Sequence, residues 1–493
     1  MADTDHSTAV VWLRRDLRLR ANPALAYACQ QHERVVVAFI LDDAGEGDRA
    51  AGAAGRAWLY HSLQSLQADL RQRHNELVLR CGDSREQLQQ LIVACKAAAV
   101  YWNRRYEPAV RERDAAIKSW LTDELGITAK SFNASLWWEP WEISTGQGKP
   151  YRVFTPMWKN MLENWRDPQT QALPQPFPAL PEPPDSLPLD ALELLPQQRG
   201  EPAWAQGFFR ADAEPLYAPW QPGEQGAWQR LHDFADKAMA QYKTQRDIPA
   251  VAGTSMLSPH LAWGEISSAQ IVRELCPDGQ PPADAMISSF VRELGWREFS
   301  WHLLYHFPHM PDAPLQTKFA DFPWREDIQR DLQRWQRGNT GVPIVDAGMR
   351  QLWRHGWMHN RVRMLVASFL SKNLLIAWQH GERWFWDKLV DADLGNNTQG
   401  WQWTAGCGAD AAPYFRVFNP VTQGQRFDPD GDYVRHFVPE LAALPQQYIH
   451  APWTASADTL QQAGVALGSN YPAPMVDLKT TRARALEAWQ QIR

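Results

Sequence analysis

The sequence predicts two structural classes in one chain: an α/β N-terminal domain built on a parallel, doubly wound sheet, and an all-α domain after it. Three observations predict this. Short apolar runs alternate with helix-period segments over residues 8–135, prolines crowd into residues 166–203, and from about residue 206 the strand signal fades while helical periodicity persists. Strands covered by helices on both faces read as unbroken apolar runs rather than alternating ones, which is the pattern of a parallel sheet.

The strand candidates are AVVWL (9–13), RVVVAFILDD (34–43), ELVLRCGD (76–83) and AAVYWNRRYEP (98–108). Between them, residues 53–74 and 84–98 carry apolar positions at helical spacing. Ligands of such sheets gather outside the C-terminal strand ends; here those ends carry RRDLR (14–18), LDD (41–43), GD (82–83) and NRRYE (103–107). The proline-dense stretch marks a linker, so the expected division is 1–135, a linker 136–205, and a helical domain 206–493. Helices are expected over 224–242, 285–307, 329–338, 344–356 and 381–394. GWMHNRVRML (356–365) continues into VASFLSKNLLIAW, so the spacing predicts one long helix interrupted or capped near Gly356.

Composition narrows the class. At 493 residues the chain exceeds one ordinary core, and 44% hydrophobic with 22% charged residues is globular. No apolar run is long enough to span a bilayer, and the acidic N-terminus lacks the features of a signal peptide, so a cytoplasmic location and no membrane partner are expected. Five scattered cysteines without C-x-x-C argue against a disulfide framework or zinc ribbon. A formal net charge of −6 leaves nucleic-acid binding to a local basic face. Tryptophan is unusual: 26, against 18 Phe and 12 Tyr. These indoles serve packing, or some serve stacking and electron transfer; composition does not choose.

Several motifs carry chemistry. GTSMLSPHLAWGEIS (253–267) sets hydroxyls and backbone N–H groups where a helix starts, suited to a phosphate cradle or to an ordinary helix cap. Glu293, Trp296 and Arg297 fall at i, i+3 and i+4 and share a helix face, as a polar pocket or as a solvated acid–base pair beside a core indole. DADLGNNTQGWQWTAG (391–406) reads as a polar loop with Asx turns or a binding segment carrying Asp391, Asp393, Asn396 and Asn397, with Trp401 and Trp403 beside it. His355/His359 and His302/His306 lack a third ligand and read as packing or hydrogen-bonding histidines, so no metal site is expected. GCGAD (406–410) is no dinucleotide fingerprint, and no Walker lysine loop or nucleophile elbow occurs.

Taken together, VVWLRRDLRLRANPAL (10–25), QRDIPAVAGTSMLSPHLAWGEIS (245–267), ELGWREF (293–299), NTGVPIVDAGMRQL (339–352), GWMHNRVRML (356–365), DADLGNNTQGWQW (391–403) and DAAPYFRVFNPVTQGQRFDPDGDYVR (410–435) resemble the photolyase/cryptochrome family, in order and across nearly the whole chain. The resemblance implies an α/β domain, a long linker and a helical domain holding FAD. It implies FAD contacts from Tyr242, Thr254, Ser255, Met256, Leu257, Ser258, Phe290, Glu293, Arg297, Trp357, Asn360, Arg363, Asp391, Asp393 and Asn397, the last near the flavin N5. Glu293, Trp296, Asn360, Met364 and Trp403 match the lesion pocket of photolyases that act on cyclobutane pyrimidine dimers (CPDs), where the (6-4) branch has histidines in place of Asn360 and Met364. Asn397 stands where plant cryptochromes usually carry Asp.

The implied function is deoxyribodipyrimidine photolyase activity: light-driven splitting of a flipped-out dimer by an electron from reduced FAD, with a non-repairing blue-light photoreceptor as the alternative. Carboxamide and carboxyl edges at Asn360 and Glu293, with walls from Met364, Trp296 and Trp403, suit a flat, polar-edged pair of bases. A protonated Glu293 would donate a hydrogen bond to the dimer. Trp401, Trp378 and Trp324 match the electron relay, and Arg246, Arg361 and Arg416, with Trp296 and Trp403, match DNA contacts. A monomer acting on dimer-containing DNA is implied, with an antenna chromophore, methenyltetrahydrofolate in preference to a deazaflavin. One departure bears on the antenna: Val110 stands where one folate-binding branch has an acid soon after the YE of NRRYEP.

Overall fold

The computed structural model describes residues 7–168, 172, 177–201, 204–209, 219–411 and 416–493. Five parallel strands, β1 Thr8–Leu13, β2 Arg34–Leu41, β3 Leu77–Cys81, β4 Ala97–Asn103 and β5 Thr128–Phe132, lie in the order β3-β2-β1-β4-β5. Four helices cross between them: α1 Pro23–Gln31, α2 Ala53–Arg71, α3 Ser84–Cys95 and α4 Pro108–Ser119. Alternation along β1 serves both faces, as a strand's period of two requires. Val11 and Leu13 pack into one buried cluster, Val10 and Trp12 into another. The doubly wound parallel sheet expected from the apolar runs is present. β5 is an addition: TAKSF is half-exposed and weakly apolar, and it forms by pairing along the edge of β4.

The stretch expected as linker is ordered in part. It contains α5 Phe154–Glu163, packed into the helical body. Ala179 bridges Val35, and Leu187 N–H donates to the Leu79 carbonyl at 3.0 Å, so this segment runs against the sheet.

The helical body comprises α6 Glu224–Lys237, α7 Tyr242–Gln245, α8 Ser258–Ala262, α9 Ser268–Leu275, α10 Ala285–His306, α11 Gln329–Gln336, α12 Pro343–His355, α13 Asn360–Ser368, α14 Trp378–Lys388 and α15 Leu394–Ala405, with further helices to Gln491. The interruption expected near Gly356 is present: Gly356 closes α12 in the left-handed region (φ 61°), and His359 restarts the chain as N-cap of α13, accepting from the Arg361 N–H. One expectation is corrected. The polar segment 391–406 is mostly helix, because Asp393 caps α15 by accepting from the Asn396 N–H at 2.9 Å.

The strand-end motif RRDLR does not form an open ligand site. Arg14 pairs with Asp114 at 2.9 Å at the switch point between β1 and β4. Arg15 donates to the Ala392 carbonyl (2.8 Å), Leu17 N–H to Trp263 (3.2 Å) and Arg18 to Gly264 (2.8 Å), so the motif clamps the two domains together. Gly264 is required there: its φ is +66°, and a Cβ would lie 2.2 Å from the Arg15 carbonyl oxygen.

Candidate active site at the junction of three helices

Three helices carry the residues expected to form the lesion pocket. Glu293 and Trp296 lie one turn apart on α10, Asn360 and Met364 one turn apart on α13, and Trp403 lies on α15, which packs against both. Asp284 caps α10 through the N–H groups of Met286 and Ile287 (2.8 and 2.9 Å). Trp296 is fixed by a stack on Phe154 of α5, centroids 3.8 Å apart and planes at 14°. Asn360 is exposed at the first turn of α13; Trp296, Met364 and Trp403 are half-buried. The wall is therefore aromatic and soft, and its edge is polar.

Glu293 is not isolated. It accepts from Arg246 Nη1 at 2.6 Å, and Arg361 Nη2 meets Asp247 at 2.8 Å. Burial alone would lower the Arg246 guanidinium, but hydrogen bonding and charge from Glu293 outweigh it and the net shift is upward. Arg361 also lies 4.4 Å over the Phe427 ring. Arg416 is exposed beside Phe418, away from any such pair among the described residues; 412–415, part of the motif at 410–435, lie outside them.

A second polar set lies deeper. Arg363 Nη2 pairs with Asp391 Oδ2 at 2.8 Å, and its Nε donates to the Met358 carbonyl. Arg297 donates to the Ser135 carbonyl at 3.0 Å and lies 3.8 Å from Asp393, which also accepts from Trp301 Nε1. Asn397 donates from Nδ2 to the Glu382 carbonyl and to Glu382 Oε1 (3.0 and 2.9 Å). Glu382 is itself buried against Arg49 of the α/β domain at 2.6 Å; burial pushes its carboxyl up and Arg49 opposes that. Tyr242 is buried edge-on to Phe290, centroids 5.4 Å apart, and burial pushes its phenol up. Trp357 Nε1 donates to Ser258 Oγ at 3.1 Å, joining α13's approach to the 253–258 loop. In that loop Met256 takes a left-handed conformation (φ 51°), and a Cβ on Gly253 would meet the Gln245 carbonyl at 2.8 Å.

These residues fit a flavin nucleotide. Asp391 Oδ1 is buried and accepts no hydrogen bond among the described residues, a match for a ring N–H donor. The strained hydroxyl-rich loop leaves Thr254 and Ser255 half-exposed, open to phosphate oxygens.

The indoles at 401, 378 and 324 occupy connected elements. Trp401 and Trp378 are buried, at 3% and 1% exposure, and Trp324 is half-buried, so the series ends nearer the surface. Trp401 presses on α14 at Gly381, where a Cβ would lie 2.0 Å from the indole. Arg325, next to Trp324, donates from its backbone N–H to Leu375, just ahead of Trp378.

Sequence reasoning missed Asp247, Phe154, Glu382 and Arg15. Asp247 carries only a neighbour signal, its place beside Arg246. The others act across long sequence separations that periodicity does not report. The histidines 355 and 359 are buried, and burial lowers each imidazole to about 4.

The fold is that of a two-domain protein, an α/β domain joined to a helical body whose buried polar residues fit a nucleotide cofactor. Residues 9–182 match the family described as DNA photolyase, and 290–491 the FAD binding domain of DNA photolyase. The chain is 46% identical to a deoxyribodipyrimidine photo-lyase of Agrobacterium fabrum, over 98% of each chain. It is 35% identical to cryptochrome-1 of Arabidopsis thaliana, over 98% of this chain and 70% of that one. A bacterial class III photolyase from Agrobacterium tumefaciens superposes with a TM-score of 0.92 at 45% identity, covering 100% of this chain and 98% of that one. The chain belongs to the photolyase/cryptochrome family, and its helical domain is an FAD-binding domain.

Proposed function

We propose that the protein is a deoxyribodipyrimidine photolyase that repairs CPDs in DNA under light. The observation that supports this reading is that Glu293 and Trp296 on α10, Asn360 and Met364 on α13, and Trp403 on α15 sit on helices of which α15 packs against both others. When bound and reduced, FAD supplies the chemistry: an electron released on excitation, which splits the cyclobutane ring and then returns. The chain's residues do the positioning. Trp296, Trp403 and Met364 wall a flipped-out dimer; Asn360 and Glu293 meet its polar edges. Extruding a damaged, poorly stacked pair costs less than extruding a normal one, which supplies part of the selectivity. Arg246, Arg361 and Arg416 supply sequence-independent phosphate contacts.

The deciding experiment is repair of a CPD-containing oligonucleotide by purified, reduced protein in blue light and in darkness. Light-dependent recovery of intact pyrimidines is expected. Bound FAD that photoreduces without any repair would move the protein to the photoreceptor reading.

Trp401, Trp378 and Trp324 form the inward electron path in this reading. Trp378→Phe should slow photoreduction of the oxidised cofactor at least about tenfold while dimer repair by chemically reduced protein stays near wild type; unchanged photoreduction would exclude Trp378 from the path.

In this reading the antenna occupies a cleft of about 550 Å³ outside β4, whose lining includes Arg104, Tyr106, Arg111, Lys118, Trp141 and Tyr305. Its size suits a pterin-class chromophore. Aromatic rings flank it, and the cations suit the carboxylates of methenyltetrahydrofolate better than a neutral ring. Mass spectrometry of the chromophore released from native protein tests this; a deazaflavin would overturn it.

A further inference from the structure

Two arginines expected on the DNA face already hold carboxylates. Arg246 meets Glu293 and Arg361 meets Asp247, at 2.6 and 2.8 Å. Asp247 directly follows Arg246, so both ion pairs cross one seam, from the end of α7 to α10 and α13. Arg361 is otherwise arranged as a ready cation: it lies over Phe427 and its Nη1 is 3.8 Å from Met364 Sδ, at the wall of the lesion pocket. The Asp247 side chain is 37% exposed and that of Arg361 20%, so both stay within reach of solvent and of a passing phosphate. The four charges cancel at the rim.

We propose that Asp247 is an intramolecular competitor of DNA phosphate for Arg361, limiting binding to DNA that carries no lesion. The proposal rests on the DNA-repair reading above and concerns how the same site lets go of DNA. Lesion-independent affinity comes from phosphates neutralised by cations, with release of condensed counterions. A guanidinium already bonded to a carboxylate must give up one charge-assisted hydrogen bond to make another, so its gain from a phosphate is small. Undamaged duplex offers nothing more in exchange. A seated dimer does, through the aromatic walls and the groups at Glu293 and Asn360. Once the dimer is split and its bases leave the pocket, Asp247 recaptures Arg361 and the product loses a contact. Asp247 touches no substrate in this scheme and acts through Arg361.

The test is binding of undamaged duplex by the full-length holoprotein across a salt series. Asp247→Asn should tighten binding roughly three- to tenfold and make the slope of log K against log salt more negative by about 0.9, one added phosphate contact. Asp247→Glu should restore wild-type behaviour. In an Arg361→Gln background, Asp247→Asn should have less than about a twofold effect, because its action runs through that arginine. Multiple-turnover repair by Asp247→Asn should slow while single-turnover repair is kept. Unchanged affinity and slope in Asp247→Asn would overturn the proposal, as would equal tightening in the Arg361→Gln background, which would mark a general field effect. Duplex binding is scored apart from repair: a wild type that binds duplex but repairs nothing in light sinks the repair reading and leaves the competition measurable.

Discussion

At the scale of single residues, the pocket depends on what each polar group is tied to before substrate arrives. In the proposed repair reading, Glu293 exchanges Arg246 for the dimer's edge, so its hydrogen-bonding capacity counts for more than its charge. Glu293→Gln should therefore keep most of the repair yield per absorbed photon, while Glu293→Ala, which leaves no hydrogen-bonding group, should lose much of it, on the order of tenfold. Indistinguishable yields in all three proteins would remove Glu293 from lesion contact. The Arg246–Glu293 and Arg361–Asp247 pairs were not legible in the sequence. Each residue type was, through the family's motifs, but a pair that closes over 47 positions, or over 114, needs the fold. Asn397 is similar: its position was readable, its tie to Glu382 was not.

At the scale of elements, boundaries were less legible than existence. Four strands and the principal helices stand out as apolar runs and helical spacing, whereas β5 exists only through its pairing with β4. Gly356 was legible as an interruption, whereas the His359 cap that sets Asn360 at a helix start was not. Helix α10 shows how an element can store pH dependence. Its Glu298 is buried, accepts from the Trp137 and Trp138 N–H groups, and is pushed up to about 7, chiefly by burial, with Arg297 opposing. The folded state thus holds this proton more tightly than the unfolded chain. The resulting stability is full below the ordinary glutamate value and is lost as pH rises through about 7, a change of about 3 kcal/mol. Glu298→Gln should flatten that dependence and raise the melting temperature relative to wild type at pH 8 but not at pH 5. Parallel melting curves of the two proteins at both pH values would refute it.

At the scale of the whole molecule, the two domains share a core. One buried cluster runs from Val11 and Phe39 of the sheet through Trp58 and Trp263 to Trp401 and Tyr433 of the helical body. A large hydrophobic interface of this kind couples the two domains. Circular dichroism and cofactor release should report one coincident thermal transition; two separated transitions would contradict this. Arg15→Ala, which frees the peptide between Asp391 and Asp393, should lower stability by about 1.5–3 kcal/mol, the range for a hydrogen bond from a charged group, and hasten loss of FAD on dilution.

The clamp at Arg15 has an optical meaning as well. It joins the lobe that forms one side of the Arg104–Tyr305 cleft to the peptide between Asp391 and Asp393, while Arg111 donates to the Tyr305 carbonyl; in the reading proposed above, antenna and flavin sit on either side. Two pigments seated on either side of such a joint keep a constant angle between their transition dipoles. Excitation would then hop between them with one orientation factor rather than an average over many. Polarised absorption of an oriented crystal would show that angle as a fixed dichroic ratio, the same from cryogenic to ambient temperature.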